Sequence, residues 1–393
     1  MRNNIVFFVP EWCSSDSSIL HSQVLSVASF LSGHNYDCLF IGSDIDCEAV
    51  RTNTLEIENK YNIKCSLSVN PYGYAGVKNQ VLCTKNTLAQ HADKITDFSP
   101  DIIYTRSLFA SFFIRGFSNK HNFKTWLDVR AVLSAEIELK HGRRTLGYWV
   151  IRYLEWLEFS RAERLSCVSN KLASYIKSKL TANKEIEVIP SCFHGRDFYF
   201  DKESRDRIRS MLGLKNDEKL VCYSGGISAW QKAGTIAEVF RDIKYYTDNV
   251  KLLFLTKDVE AFKRLLEDKG IPPNLALTKS CSQKEVKDYL SASDAGIILR
   301  DDIIVNNVAS PLKVAEYLIC GLPVIMSPNI GDLSDLVEEN AVGLLVDLEE
   351  NIARKIIDYV ESNLDVSTRE RCIKLANEYF DRANYLESYN KLF

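Results

Sequence analysis

Short apolar runs alternate with segments of helical period along almost the whole chain, an order that few architectures accommodate. IVFFVP (5–10) precedes a helical stretch near Ser18–Ser32, and DCLFIGS (37–43) follows it. DIIYTRS (101–107) leads into a short helix through Phe109–Phe117, and TWLDVRA (125–131) reads as another buried strand. RTLGYWVIRYLEWLEFSRAERL is helical, LSCVS (165–169) a strand, NKLASYIKSKL a helix, and EIEVIP (185–190) closes this half. The second half repeats the style, with KLVCYSGG (219–226), KLLFLTK (251–257), LALTKS, DAGIILR and PVIMS as strands. Helices near Gly234–Tyr246, Val259–Lys269, Lys284–Ser291 and 311–320 separate them. Apolar strands with a helix between each pair suit parallel sheets covered on both faces. The expected fold class is α/β, with two doubly wound Rossmann-like domains facing a cleft.

A chain of 393 residues is too long for one ordinary core, which agrees with two domains. The periodicity breaks at PSCFHGRDFYFDKESRDR (190–207), where proline, glycine and charges cluster. The expected domains are 1–194 and 195–377, with the last helix, about 378–393, packing back on the first. His194 stands at this hinge and reads equally as structural or functional.

Composition removes several function classes. Hydrophobic residues at 46% and charged residues at 26% are those of a soluble globular protein. A net charge of −3 argues against a nucleic-acid surface as the chain's main business. The eleven cysteines are odd in number and lack a CxxC or Cys/His spacing. That argues for a reducing cytosol and against a disulfide framework or a zinc site. The apolar patch in MRNNIVFFVPEW is too short for a signal peptide. No run approaches the roughly 18 apolar residues of a membrane span. A cytoplasmic protein is expected, with peripheral contact at the inner face of the plasma membrane left open. Dinucleotide binding is disfavoured, because PEWCSSDSSILHSQ follows the first strand where a G-x-G-x-x-G turn would stand.

One helix raises a sharper question. SPLKVAEYLICGLPVI (310–325) opens with Ser310–Pro311, suited to a helix start, and Gly321 suits its end. Leu312, Ala315 and Ile319 form an apolar stripe with Val314 and Leu318 beside it, leaving Lys313, Glu316 and Tyr317 on a narrow face. Glu316 is either half of a solvated pair with Lys313 or a buried carboxylate that needs a partner.

The motifs, taken in order, bear on that choice. AERLSCVSNKL (162–172), EVIPSCFHGRDF (187–198), YSGGISAWQKAG (223–234), SASDAGIILR (291–300) and SPLKVAEYLICGLPVI follow one another along nearly the whole chain. Their order resembles that of the GT-B-fold retaining glycosyltransferases of family 4, of the bacterial surface-polysaccharide type. The resemblance implies a nucleotide-diphosphate sugar as donor and a saccharide or lipid-linked saccharide as acceptor. It implies O-antigen, capsule or lipopolysaccharide synthesis, and no metal or other cofactor. Gly225, Gly226, Lys232, Arg300, Ser310, Pro311, Leu312, Lys313 and Glu316 become the donor-binding candidates, with Glu316 on the ribose hydroxyls. Lys232, Arg300 and Asp128 are the catalytic candidates; Ser18, Asp128 and Arg130 are those on the acceptor side.

The sequence departs from the family pattern at Val308, where the family often has a first glutamate, and at Gly226, where it has an arginine. WLDVRAVLSAE (126–136) offers Asp128 and Arg130 in place of a His-Asp pair. Asp128–Arg130 also reads as a structural ion pair at a strand end. In the 144–164 helix, Trp149, Tyr153, Trp156 and Phe159 read by default as core, or else as a membrane-surface face. Two other functions suit the same fold: a UDP-sugar 2-epimerase and a non-catalytic sugar-binding protein.

Overall fold

The computed structural model describes residues 3–13, 18–74, 76–193, 198–227, 229–272, 275–348, 351–362 and 364–393. The chain forms two compact units, Met1–Pro190 with Tyr385–Phe393, and Ser191–Asn384. The expected boundary, after 194, falls among residues that are not described, as does His194 itself. The helix Val366–Phe380 stays with the second unit, and the segment that returns to the first begins at Tyr385.

The first unit holds seven strands: β1 (Asn3–Trp12), β2 (Tyr36–Asp44), β3 (Lys64–Val69), β4 (Ile102–Thr105), β5 (Lys124–Val129), β6 (Arg164–Cys167) and β7 (Glu187–Val188). All pair in parallel, in the order β3-β2-β1-β4-β5-β6-β7. Side chains of β1 alternate between two cores, Ile5, Phe7 and Val9 entering one and Val6 and Phe8 the other. That is why the strand reads as apolar throughout rather than alternating.

The second unit repeats the plan with β8 (Lys219–Ser224), β9 (Val250–Leu255), β10 (Ala276–Lys279), β11 (Ala295–Ile298), β12 (Val324–Met326) and β13 (Gly343–Leu345). These are parallel in the order β10-β9-β8-β11-β12-β13. Val221 and Tyr223 face one core, Leu220 and Cys222 the other. The expected pair of doubly wound α/β domains is present. In each unit the strand order reverses beside the first strand, between β1 and β4 and between β8 and β11.

Two local readings need correction. The helix expected over 311–320 runs Leu312–Ile319, with Pro311 at the cap position and no side-chain cap. Ser310 does not cap it, because its hydroxyl accepts the Ser191 backbone N–H at 3.2 Å. Tyr317 does not share a polar face with Lys313 and Glu316; it is fully buried across β11. The helix ends as expected, at Gly321 with φ +75°. The helix Leu146–Arg161 buries Ile151, Leu157 and Phe159, yet leaves Trp149 56%, Tyr153 61% and Trp156 44% exposed. Core packing therefore explains Phe159 and not the other three aromatics.

Gly296 on β11 lets the Tyr317 ring lie against the sheet, since a Cβ there would come within 2.2 Å of Tyr317 Cδ2. Gly296→Ala should lower unfolding stability in urea by about 1–3 kcal/mol, the usual cost of overpacking. Gly116→Ala serves as the contrast. It is exposed in the helix Leu108–His121, and its Cβ would meet nothing within 4 Å. That change should stabilise by about 0.4–1 kcal/mol. Equal effects of the two would contradict the close-approach argument.

Candidate functional site

Ligands of open α/β sheets bind beyond the carboxyl ends of the strands, where the strand order reverses. In the second unit this places the residues after β8 and β11 together, Gly225–Lys232 and Arg300–Ala309. The helix Leu312–Ile319 is tied to the same edge, because the Ser224 N–H, at the end of β8, donates to the Tyr317 hydroxyl at 2.8 Å. Of its first N–H groups, that of Val314 donates to the Pro311 carbonyl at 3.1 Å, and Pro311 at the cap position offers the others no side-chain acceptor. The positive end of the helix dipole lies there as well.

Arg300 follows β11 directly. Its backbone N–H donates to Ser327 Oγ at 2.8 Å and its Nη1 to Asn306 Oδ1 at 3.1 Å. Its Nε is buried without a hydrogen-bond partner. Among the described residues no carboxylate forms a salt bridge with it. Burial pushes its pKa below the ordinary arginine value, opposed by Tyr223. A buried guanidinium without a counter-charge is costly, and a bound anion would offset that cost.

Lys232 sits before the helix Ala233–Ile243 with φ +53°, a left-handed conformation that strains a residue bearing a Cβ. Its Nζ lies 2.7 Å from Asp301 Oδ1. Because Asp301 follows Arg300 in the chain, this ion pair holds the two expected cations at one edge. The loop before Lys232 is drawn in by Tyr223, whose hydroxyl donates to the Gly226 carbonyl at 2.6 Å. Gly225 approaches the same ring, so that a Cβ there would fall 2.8 Å from the Tyr223 hydroxyl.

Glu316 is 6% exposed, and its Oε2 accepts from Lys313 Nζ at 2.8 Å. The ion pair that the spacing allows is therefore made, but by a nearly buried carboxylate and a lysine side chain 38% exposed. Val308, at the position of the family's first glutamate, is buried. Asn306 was not foreseen and is a hub. Its Nδ2 donates to the Asp301 carbonyl at 2.9 Å, its Oδ1 accepts from Arg300, and its carbonyl accepts from Gly331 N at 3.1 Å. Gly331, with φ +49°, leaves no room for a Cβ, which would lie 1.8 Å from the Ala309 carbonyl oxygen. Nothing in the sequence around Asn306 signals this role, which depends on residues brought from several strands.

In the first unit Asp128 ends in a closed network. Its Oδ2 accepts from Tyr104 at 2.9 Å and Arg130 Nε at 2.7 Å, and its Oδ1 from Ser166 at 2.7 Å. Burial would raise its pKa, but Arg130 and the hydroxyl donors outweigh it and hold the carboxyl below its usual value. Arg130 is correspondingly raised by Asp128 against the effect of burial. The side chain of Ser18 lies outside the described residues. Among the described residues no three His, Cys, Asp or Glu side chains stand together as a metal-ion group.

Comparison with known proteins adds three kinds of likeness. Residues 204–379 match the family described as Glycosyl transferases group 1. Over 182 residues the chain is 26% identical to TuaH of Bacillus subtilis (strain 168), assigned by name to teichuronic acid biosynthesis as a glycosyltransferase. That match covers 45% of this chain and 43% of the relative. The whole chain also matches the fold of sucrose-phosphate synthase (tll1590) from Thermosynechococcus elongatus, with TM-score 0.78, 14% identity and 99% of that chain covered. Anabaena Alr3699/HepE in complex with UDP-glucose matches with TM-score 0.71 and 15% identity, over 99% of this chain and 98% of that one. The chain resembles GT-B glycosyltransferases in fold, and the matches agree with the enzyme class that the motifs implied.

Removing one partner of a buried ion pair strands the other. Asp128→Asn should therefore cost about 3–5 kcal/mol of stability at pH 7, measured by urea unfolding. A carboxyl held below its unfolded value stabilises the fold above that value and loses the contribution as pH falls through the folded one. The gap between wild type and Asp128→Asn should accordingly narrow below about pH 4. A gap that stays constant into acid would contradict the ion-pair account.

Proposed function

We propose that this chain is a retaining glycosyltransferase of family 4, moving a sugar from a nucleotide-diphosphate sugar to a saccharide acceptor without a metal ion. The product would be a bacterial surface polysaccharide or its lipid-linked precursor, in line with the biosynthetic role carried in the name of TuaH. Arg300 carries the reading: it is a half-buried cation whose Nε is enclosed without a partner and which has no counter-charge among the described residues, at the reversal of strand order and beside the helix start. The leaving diphosphate accumulates negative charge in the transition state, and fixed donors in a desolvated site stabilise it strongly. Arg300 supplies a planar fork and Lys232 a point charge. Arg300 thus takes the place of the arginine that Gly226 lacks. Glu316 exchanges Lys313 for the ribose hydroxyls, and Asp301 releases Lys232 to the phosphate. Among the described residues no carboxylate pair is set out as nucleophile and acid, so the donor phosphate acts as base for the incoming hydroxyl.

The exposed aromatics of the helix Leu146–Arg161 belong to this reading. Trp149, Tyr153 and Trp156 line a groove of about 330 Å³ together with Arg152 and Lys179. Leu146 and Val150 are exposed on the same helix, and Lys140, Arg143 and Arg144 immediately precede it. Aromatic and basic residues on one face suit the interface of an anionic bilayer. The face would hold the enzyme at the inner leaflet, where a lipid-linked acceptor resides. Co-flotation with vesicles containing phosphatidylglycerol should fall at least tenfold in the Trp149→Ala/Trp156→Ala variant and be unchanged in neutral vesicles. Equal flotation of wild type and variant would remove this face from the account.

Turnover of UDP-sugars, followed by NMR, tests the chemistry. The product linkage should keep the donor's anomeric configuration, and transfer should survive EDTA. Arg300→Ala and Lys232→Ala should each slow turnover by 10²-fold or more, on the order of 3 kcal/mol. Glu316→Gln should weaken donor binding by about 1.5–3 kcal/mol. An inverted product, or epimerisation of donor alone, would overturn the proposal. Near wild-type turnover in Arg300→Ala would overturn the role given to that residue.

A further inference from the structure

Two adjacent carboxylates follow Arg300, and the fold uses them in opposite ways. Asp302 is turned toward its own loop, its Oδ1 accepting from Asn307 Nδ2 at 2.8 Å and its Oδ2 from Asn329 Nδ2 at 3.3 Å. Asp301 is turned toward the Gly225–Lys232 loop and sets its Oδ1 2.7 Å from Lys232 Nζ. Among the described residues, Lys232 is the one partner of that carboxylate.

The backbone holds this contact in place. The Asp301 carbonyl accepts from Ile303 N at 3.0 Å and from Asn306 Nδ2 at 2.9 Å, which fixes the point from which its side chain springs. The buried Asn306 also accepts from Arg300 Nη1 at 3.1 Å, so one amide sets guanidinium and carboxylate relative to each other. Lys232 comes from the other side on a left-handed residue, φ +53°, a strain that persists only where the surroundings impose it. Yet the ion pair itself is open to water, with the Lys232 side chain 26% and that of Asp301 42% exposed. An exposed pair adds little to stability, so stability does not account for a carboxylate set on this lysine.

We propose that Asp301 is a resident competitor for the phosphate position on Lys232, and that it speeds release of the nucleoside diphosphate after transfer. The inference rests on the glycosyltransferase reading for the identity of the ligands. A phosphate that reaches both Arg300 and Lys232 lies beside Asp301, because the carboxylate adjoins the first in the chain and touches the second. Donor binding therefore breaks the ion pair and turns Asp301 out to solvent. From there the carboxylate repels whatever sits on Lys232, in proportion to its charge. In a nucleotide sugar the outer phosphate is a diester with a single negative charge. After transfer it is a monoester with a second ionisation at about pH 6, so at pH 8 it carries about two charges. The product is thus repelled about twice as strongly as the donor. Once it leaves, Asp301 returns to Lys232. Asp301 touches no reacting atom; it acts through the lysine.

Isothermal titration calorimetry of the full chain at pH 8, with UDP, GDP and dTDP and with their glucose derivatives, tests it. For the nucleotide that binds, Asp301→Asn should tighten the diphosphate about tenfold and the glucose derivative about threefold, since repulsion of two charges is lost in the first and of one in the second. Asp301→Glu keeps the charge and should keep the wild-type ratio of the two affinities. Asp302→Asn removes the same charge one residue away and should change either affinity less than about twofold in physiological salt. The melting temperature of Asp301→Asn should stay within about 4 °C of wild type, because the pair is exposed. Weaker diphosphate binding or a larger fall in melting temperature in Asp301→Asn would show a structural brace and overturn the proposal. Equal gains for the two ligands, or the same gains in Asp302→Asn, would overturn it as well. Binding of none of these ligands by wild type would remove the donor reading and this inference with it. Binding that Asp301→Asn leaves unchanged would remove the inference alone.

Discussion

The hydrogen bond from the Ser224 N–H to the Tyr317 hydroxyl anchors the candidate site. It joins the last residue of β8 to a helix lying across β11, and it forms only because Gly296 lets the ring descend onto the sheet. With the helix fixed there, its uncapped start faces the edge that carries Arg300 and the Gly225–Lys232 loop. Asn306 and Gly331 then set the path of the 300–310 segment into that helix. One close approach thus fixes the geometry of a site that needs several charges in register. The ring and its glycine are buried in the same core as Cys222, Val324 and Leu318, so distortion there would be felt at the crevice.

Charges at the two sheet edges fall into three kinds. Asp128 has all its partners within the fold and behaves as a brace between β4, β5 and β6. Lys232 and Glu316 have partners that a ligand can replace, Asp301 and Lys313, each with a side chain substantially exposed. A partly exposed pair such as Lys232–Asp301 contributes at most about 1 kcal/mol, little enough for a phosphate to exchange with, and the ribose hydroxyls would offer the nearly buried Glu316 carboxylate donors in place of Lys313. Among the described residues Arg300 has no counter-charge in contact. Native folds rarely leave such groups buried without a use, and unsatisfied groups concentrate where ligands bind.

Much of this was legible in the sequence, for physical reasons that vary along the chain. Strands such as IVFFVP and KLLFLTK are covered on both faces and so announce themselves as apolar runs. The 45–100 stretch was silent because its helix Cys47–Tyr61 buries only Ile57, and the helix Val77–Phe98 buries polar Thr84, Thr87 and His91 beside Cys83 and Ile95, leaving no clear apolar periodicity to read. Motif order was enough to bring Gly225, Lys232, Arg300 and Glu316 to one unit, but not to foresee their ligand-free partners. Asn306 and Tyr317 were missed because their roles depend on strands distant in sequence. Trp149, Tyr153 and Trp156 were read by default as core, whereas the helix packs through its Ile151 and Phe159 side and turns the others outward.

A crystal structure of the protein with UDP tests the central claim most directly. The account predicts the diphosphate at the start of the helix Leu312–Ile319, within hydrogen-bonding distance of Arg300 and Lys232. The Lys313–Glu316 contact should be broken and the Glu316 carboxylate placed on the ribose hydroxyls. A nucleotide bound elsewhere, or bound here with Glu316 still paired to Lys313 and Arg300 turned away from the phosphates, would contradict it.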